Sequence, residues 1–195
     1  MTKKRLDKIF LMDKLKLIFL LVCTLFVMIG CTKTEPSSST DSIQEAQVNT
    51  PTANSSSIAF VDTQEGKPLI IDAALFDTPE AKEFLATGKN PYIGNIDAIT
   101  RGQKVYQLYS CTQCHGPDAK GQVGPALVGP DFKYPKDATN KGMFETIWHG
   151  TNGGMGGKGI GIMDATDPKN GISPDEMLKV IAWIRSVSNG ITGNE

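Results

Sequence analysis

Hydrophobic and polar positions change their rhythm three times before the folded part of this chain. Leu17 to Ile29 is an almost unbroken apolar run, preceded by Lys3, Lys4, Arg5, Lys8, Lys14 and Lys16. A basic stretch followed by an apolar run too short for a membrane span reads as a signal peptide over residues 1–30. Residues 31–57 then lose apolar character. Pro36-Ser37-Ser38-Ser39-Thr40 and Asn54-Ser55-Ser56-Ser57 typify a segment that cannot bury enough surface to order itself. It predicts a tether, spanning roughly 25–30 Å as a coil. Periodic structure begins at Ile58.

Short β-like runs at Ile58–Val61 and Leu69–Ile71 flank Gln64-Glu65-Gly66 and predict a hairpin. A helix follows, with Thr78 as N-cap, Pro79 at its first position and Gly88 at its end. Residues 58–94 thus form an N-terminal extension, and a second domain spans 95–190. A helix from about Ile96 to Tyr109 carries Ala98, Gly102, Val105 and Tyr109 at helical spacing. Glycine inside a helix costs about 1 kcal/mol relative to alanine. Gly102 therefore predicts a close helix contact, with Tyr106 beside it. Residues 129–142 show little regular pattern, and Met143–Trp148 predicts a short helix. Ser173, Pro174 and Glu176 predict a capping box opening a last helix. Met177, Val180, Ile181, Ile184 and Val187 form its apolar stripe, flanked by Trp183. That stripe is expected to pack on the helix of Gly102 and Tyr106.

Cysteine placement adds the chemistry. Cys111-Thr112-Gln113-Cys114-His115 has the spacing of a c-type haem attachment site. Two thiols three positions apart can each form a thioether to one haem vinyl group, and the next residue, His115, is then held as the proximal iron ligand. A redox dithiol or half a zinc site would use the same CxxC, but no second Cys/His pair completes zinc and no βαβ pattern suggests a thioredoxin fold. Cys23 lies in the apolar run. Cys31 follows Met28-Ile29-Gly30, which is similar to a lipobox, so Cys31 is the expected lipidation site and membrane anchor.

A ligating histidine usually gives its second ring N–H to a carbonyl. The Gly124-Pro125 turn offers one, and Pro125 is the candidate. The sixth iron position has several candidates. Gly150 to Gly161 holds seven glycines in twelve positions around Met155. Because glycine loses the most freedom on ordering, this predicts close passage of backbone around a flat cofactor edge. Met155 leads as distal ligand, with Met163, His149 and an open position as alternatives. A methionine thioether would favour Fe(II) and raise the potential, as an electron carrier needs. An open site would suit a haem enzyme or gas sensor.

The full chain carries 20 Lys+Arg against 21 Asp+Glu, a net charge of −1. Residues 1–30 hold six of the basic and two of the acidic side chains, so their removal leaves −5. A mildly acidic chain of this kind is a poor nucleic-acid binder. No Ser/His/Asp triad, paired carboxylates or phosphate loop appears, so an electron-transfer protein is expected rather than an enzyme.

Beyond the attachment motif, several blocks resemble one family. They are Glu83-Phe84-Leu85-Ala86-Thr87-Gly88-Lys89-Asn90-Pro91-Tyr92, Tyr134-Pro135-Lys136-Asp137-Ala138-Thr139, Phe144-Glu145-Thr146-Ile147, Ser173-Pro174-Asp175-Glu176-Met177-Leu178-Lys179 and Ala182-Trp183-Ile184-Arg185. Residues 58–188 resemble cytochrome c-L, the periplasmic electron acceptor of PQQ-dependent methanol dehydrogenase. The resemblance implies a mostly α, class I cytochrome c-like domain around one covalent haem c, with an N-terminal extension containing short β segments. It implies His/Met ligation with the methionine at Met155. It also implies electrons taken from PQQ-dependent methanol dehydrogenase and passed to a smaller cytochrome c. The alternative donors are another quinoprotein or a respiratory complex. A lipid anchor and tether depart from the soluble form typical of that family.

Overall fold

Gly102 sits where two long helices touch. In the computed structural model, which describes residues 57–191, 193 and 194, helix α2 spans Ile96–Leu108 and helix α5 spans Pro174–Ser186. A Cβ added at Gly102 would fall on the Lys179 carbonyl. Glycine is therefore demanded by the separation of the two backbones. One turn on, the Tyr106 ring packs on Trp183 with centroids 4.4 Å apart. Met177, Val180, Ile181 and Ile184 are all buried at this seam. Each such side chain contributes about 1.5–3 kcal/mol by leaving water. Val187, expected to continue the stripe, is the C-cap and remains 37 % exposed.

The helix ends obey their signals. Thr78 Oγ1 accepts from Ala81 N at 3.1 Å to open α1, Pro79–Thr87, and Gly88 closes it at φ 75°. Asn95 Oδ1 accepts from Ala98 N at 3.0 Å to open α2. Ser173 Oγ accepts from Glu176 N at 3.3 Å. The other half of the expected capping box is diverted, because the Glu176 carboxylate meets Arg101 Nε at 2.9 Å across the helix pair. The short α3, Thr112–His115, follows α2 after a brief turn.

The stretch 129–142 is more regular than its composition suggests. Pro135–Ala138 makes a 3₁₀ turn, and α4 runs Asn140–His149, three residues earlier than expected. Its N-cap is Thr139, whose Oγ1 accepts from Gly142 N at 3.0 Å. A Thr followed by weak helix formers hid this start.

The N-terminal hairpin pairs β1, Phe60–Val61, with β2, Pro68–Leu69, antiparallel. It shares its core with the later helices. Phe60, Phe76, Phe84 and Phe144 form one aromatic cluster with centroids 4.9 to 6.1 Å apart. Buried Glu145 ties the hairpin down: its carboxylate accepts from Val61 N at 2.8 Å and pairs with Lys136 at 2.7 Å and Lys141 at 2.5 Å. Asp175 does the same for α1. It accepts from Thr78 Oγ1 at 2.9 Å, Tyr92 OH at 2.6 Å and Lys179 Nζ at 2.6 Å. Burial opposes its charge, yet these donors hold the carboxyl below its ordinary range. The signal, tether and lipidation assignments, Cys31 included, lie outside the described residues. Among the described residues, no helix is long and apolar enough to cross a membrane.

Candidate haem site

The attachment motif is wound into α3 by backbone bonds. His115 N donates to Cys111 O at 2.9 Å, which brings Cys111 and His115 onto one turn. Gly124 N donates to Cys114 O at 2.8 Å, and Gly121 N donates to His115 O at 2.9 Å. The loop after the motif is thereby folded back against it. Tyr106 OH donates to Gly116 O at 2.8 Å from α2, and burial pushes this phenol's pKa up, so it stays a donor.

His115 is buried, and its Nδ1 lies 2.8 Å from the Pro125 carbonyl. A carbonyl only accepts, so Nδ1 carries a proton, and in the neutral ring this is the tautomer whose lone pair lies on Nε2. Cys111 is half-buried and Cys114 exposed, and no disulfide joins them. Burial pushes the Cys111 thiol's pKa up.

Two cavities meet at His115. The larger, about 240 Å³, is lined by Cys114, His115, Pro125, Phe132, Tyr134 and Met155 among others. The narrower, about 30 Å³, reaches inward past Tyr106, Cys111, Met143, Ile147 and Ile184. His115, Leu127, Asp137, Thr146 and Met155 line both. One imidazole and two thioethers therefore border the same largely apolar space, with a thiol of the motif lining each part; Met155 borders both cavities, whereas Met143, on α4, borders only the inner one. That donor set, nitrogen and sulfur with two thiols at the edge, fits a covalently held haem. The other distal candidates stand elsewhere. Met163 lines a separate open depression with Leu108, Tyr109 and Lys158, and His149 lines none of these spaces. Trp183 supports the crevice from behind, through its contact with Tyr106.

The crevice also has a polar wall that the sequence reading did not single out. Asp137, on the 3₁₀ turn, accepts from Thr146 Oγ1 at 2.6 Å, and Thr146 is 2.9 Å from Thr63 Oγ1. With Thr146 donating inward, Thr63 donates to Thr146, so the chain of bonds runs from the hairpin to Asp137. Burial pushes the Asp137 carboxyl up to about 6, against the pull of Thr146, Lys136 and Arg185. The available signal was Tyr134-Pro135, an extended residue before a proline that opens a turn.

The glycine-rich segment serves two surfaces. Gly153 and Gly154 line the larger cavity beside Met155, and its other tight approaches are to the protein itself. An added Cβ at Gly157 or Gly159 would meet Trp148 or Ile162, and at Gly150 the Met155 carbonyl.

Comparisons with known proteins give the family. Residues 99–188 match the family model for cytochrome c. A cytochrome c-L of Methylorubrum extorquens is 41 % identical over 115 residues, which is 58 % of this chain and 52 % of that protein. The chain thus spans about half the length of that relative. The crystal structure of cytochrome cL from Hyphomicrobium denitrificans shares 37 % identity at a TM-score of 0.58, covering 68 % of this chain and 75 % of that one. The cytochrome cL of the marine methylotroph Methylophaga aminisulfidivorans shares 33 % identity at a TM-score of 0.55, covering 67 % and 81 %.

Proposed function

The chain belongs to the cytochrome c-L family, and on that premise we propose that it is a periplasmic one-electron carrier that takes electrons from PQQ-dependent methanol dehydrogenase and passes them to a smaller cytochrome c. Its fold is the class I cytochrome c fold, and its cofactor is covalent haem c. Bound haem supplies a one-electron Fe(III)/Fe(II) couple.

The chain's residues supply attachment, ligation and insulation. Cys111 and Cys114 are the thioether thiols. His115 would hold the iron through Nε2, the nitrogen left facing the crevice when Nδ1 donates to Pro125. Met155 is the distal ligand. Tyr106, packed on Trp183, closes the inner end with Ile184 and keeps water out. The observation that carries this reading is the shared border of His115 and Met155 on both cavities. A sixth position taken by methionine favours a carrier over a gas sensor or haem enzyme. At maturation, cleavage before Cys31 and its lipidation would tether the domain to the periplasmic face of a membrane.

Stopped-flow absorbance tests the donor. Oxidised holoprotein is mixed with PQQ methanol dehydrogenase, with and without methanol. Rapid haem reduction that needs both components is expected. Absence of reduction in a protein still reducible by ascorbate would discard this donor and turn attention to other quinoproteins.

A further inference from the structure

The segment bearing Met155 leaves helix α4 and returns to it. Lys158 N donates to Ile147 O at 2.9 Å and to Trp148 O at 3.1 Å, and Gly159 N donates to Trp148 O at 3.1 Å. Between these ends the loop is closed by Thr151 N donating to Met155 O at 2.8 Å and by a bridge between Gly150 and Gly156. Beyond them, Ile172 N donates to Lys158 O at 2.7 Å. Residues 158 and 159 are thus the point where the loop is fastened.

The glycines report how tight that fastening is. At Gly156 a Cβ would meet nothing within 4 Å. At Gly159 it would overlap the Trp148 indole. The indole has nowhere to go. Trp148 is 2 % exposed and stacks on Phe144 at 5.5 Å and 17°, within the aromatic cluster that holds the hairpin. A core packed to this density resists an inserted methyl.

We propose that Trp148 and Gly159 form a positioning latch for the distal ligand: the bare backbone of Gly159 seated on the indole fixes the loop and so keeps the Met155 sulfur in the crevice. Neither residue lines the cavities, so each acts through Met155. The proposal rests on the reading of Met155 as distal ligand. A neutral thioether holds iron weakly, so a loop released at residue 159 exposes the sixth position to an added ligand. Imidazole affinity then reports how often the loop is open, because apparent affinity scales with the population of the competent state.

The test uses the full-length holoprotein in its ferric form. Two readouts are the weak long-wavelength absorbance band of sulfur ligation and the imidazole Kd from the Soret shift. Gly159→Ala is expected to weaken the band and to bind imidazole about tenfold more tightly, matching a tenfold gain in open population, with haem still covalently attached. Gly156→Ala is expected to match the parent in both. Gly159→Ala combined with Trp148→Leu, which makes room for the methyl, is expected to recover the band and the weaker imidazole binding. An unchanged band and Kd in Gly159→Ala, or a combined variant no better than Gly159→Ala alone, overturns the latch. Should Gly159→Ala yield no holoprotein, Trp148→Phe loosens the same seat, and imidazole must still bind several-fold tighter; parental affinity there overturns it too. Met155→Ala separates the two failures. A surviving sulfur band in that variant defeats the ligand assignment itself, whereas its loss beside an unchanged Gly159→Ala defeats only the latch.

Discussion

The two walls of the crevice are held in different ways. Around His115 the support is local: bonds from His115 N to Cys111 O, from Gly124 N to Cys114 O and from Gly121 N to His115 O, with Nδ1 on Pro125 O. These four bonds all lie between Cys111 and Pro125, and Tyr106 OH on Gly116 O adds one from α2. Around Met155 the loop closes on itself through Thr151 N and Met155 O, but it is seated from outside, by the ring of Trp148 and by the Lys158–Ile172 pairing. A local mesh depends on spacing, so it can be written as a short motif. A packed seat depends on volume, and many sequences meet the same volume. One wall is therefore a pattern of residues, and the other a property of the core.

The widest separation between the walls comes from breaking each in turn. Cys111→Ser with Cys114→Ser is expected to abolish covalent haem, read by mass spectrometry of the denatured protein. Met155→Ala should leave that covalent mass intact while the potential falls by a sizeable share of the roughly 0.8 V range that axial ligands span. Potentiometric titration checks it. Equal loss of covalent haem in both variants would erase the contrast. A smaller effect strikes the support common to both walls. Gly102→Ala drives a methyl into the Lys179 carbonyl. Backbone cannot swing aside as a side chain does, so a loss of about 3 kcal/mol is expected, measured by guanidinium unfolding of the holoprotein. A loss under about 1 kcal/mol would show that the helix pair slides freely.

How much of this was legible follows the same division. The cysteine spacing, His115 and the Pro125 carbonyl all sit in one continuous stretch. Gly102 was readable because glycine inside a helix is costly and needs a reason. The caps of α1 and α5 were readable from Thr78-Pro79 and Ser173-Pro174. The start of α4 was not, since Thr139 precedes Asn140 and Gly142, which are weak helix formers. The glycine-rich loop was legible as unusual, and its Gly153 and Gly154 line the crevice; the seat of Gly159 was not legible, because only the folded chain brings the Trp148 ring beneath it. The Asp137–Thr146–Thr63 chain joins residues up to 83 apart, beyond the reach of any local pattern.

That chain sharpens the comparison most finely, because Asp137 borders both cavities yet belongs to neither ligand. Its carboxyl is pushed up to about 6 by burial, whereas an unfolded aspartate titrates near 3.9. Between these values the folded protein binds more protons than the unfolded chain, so stability falls as pH rises through this window and levels off above it. The whole span corresponds to about 2–3 kcal/mol at 1.36 kcal/mol per unit. Asp137→Asn keeps an oxygen to accept from Thr146 but carries no charge at any pH. Relative to the parent, the variant should therefore gain about 2 kcal/mol between pH 4.5 and pH 7.5, read from denaturation midpoints at the two values. The imidazole Kd should stay at the parental value in the same variant, since Trp148 and Gly159 are untouched. A matching change in that Kd would mean that the polar wall and the Met155 loop move as one unit, and the separation between the two walls would have to be redrawn around Asp137.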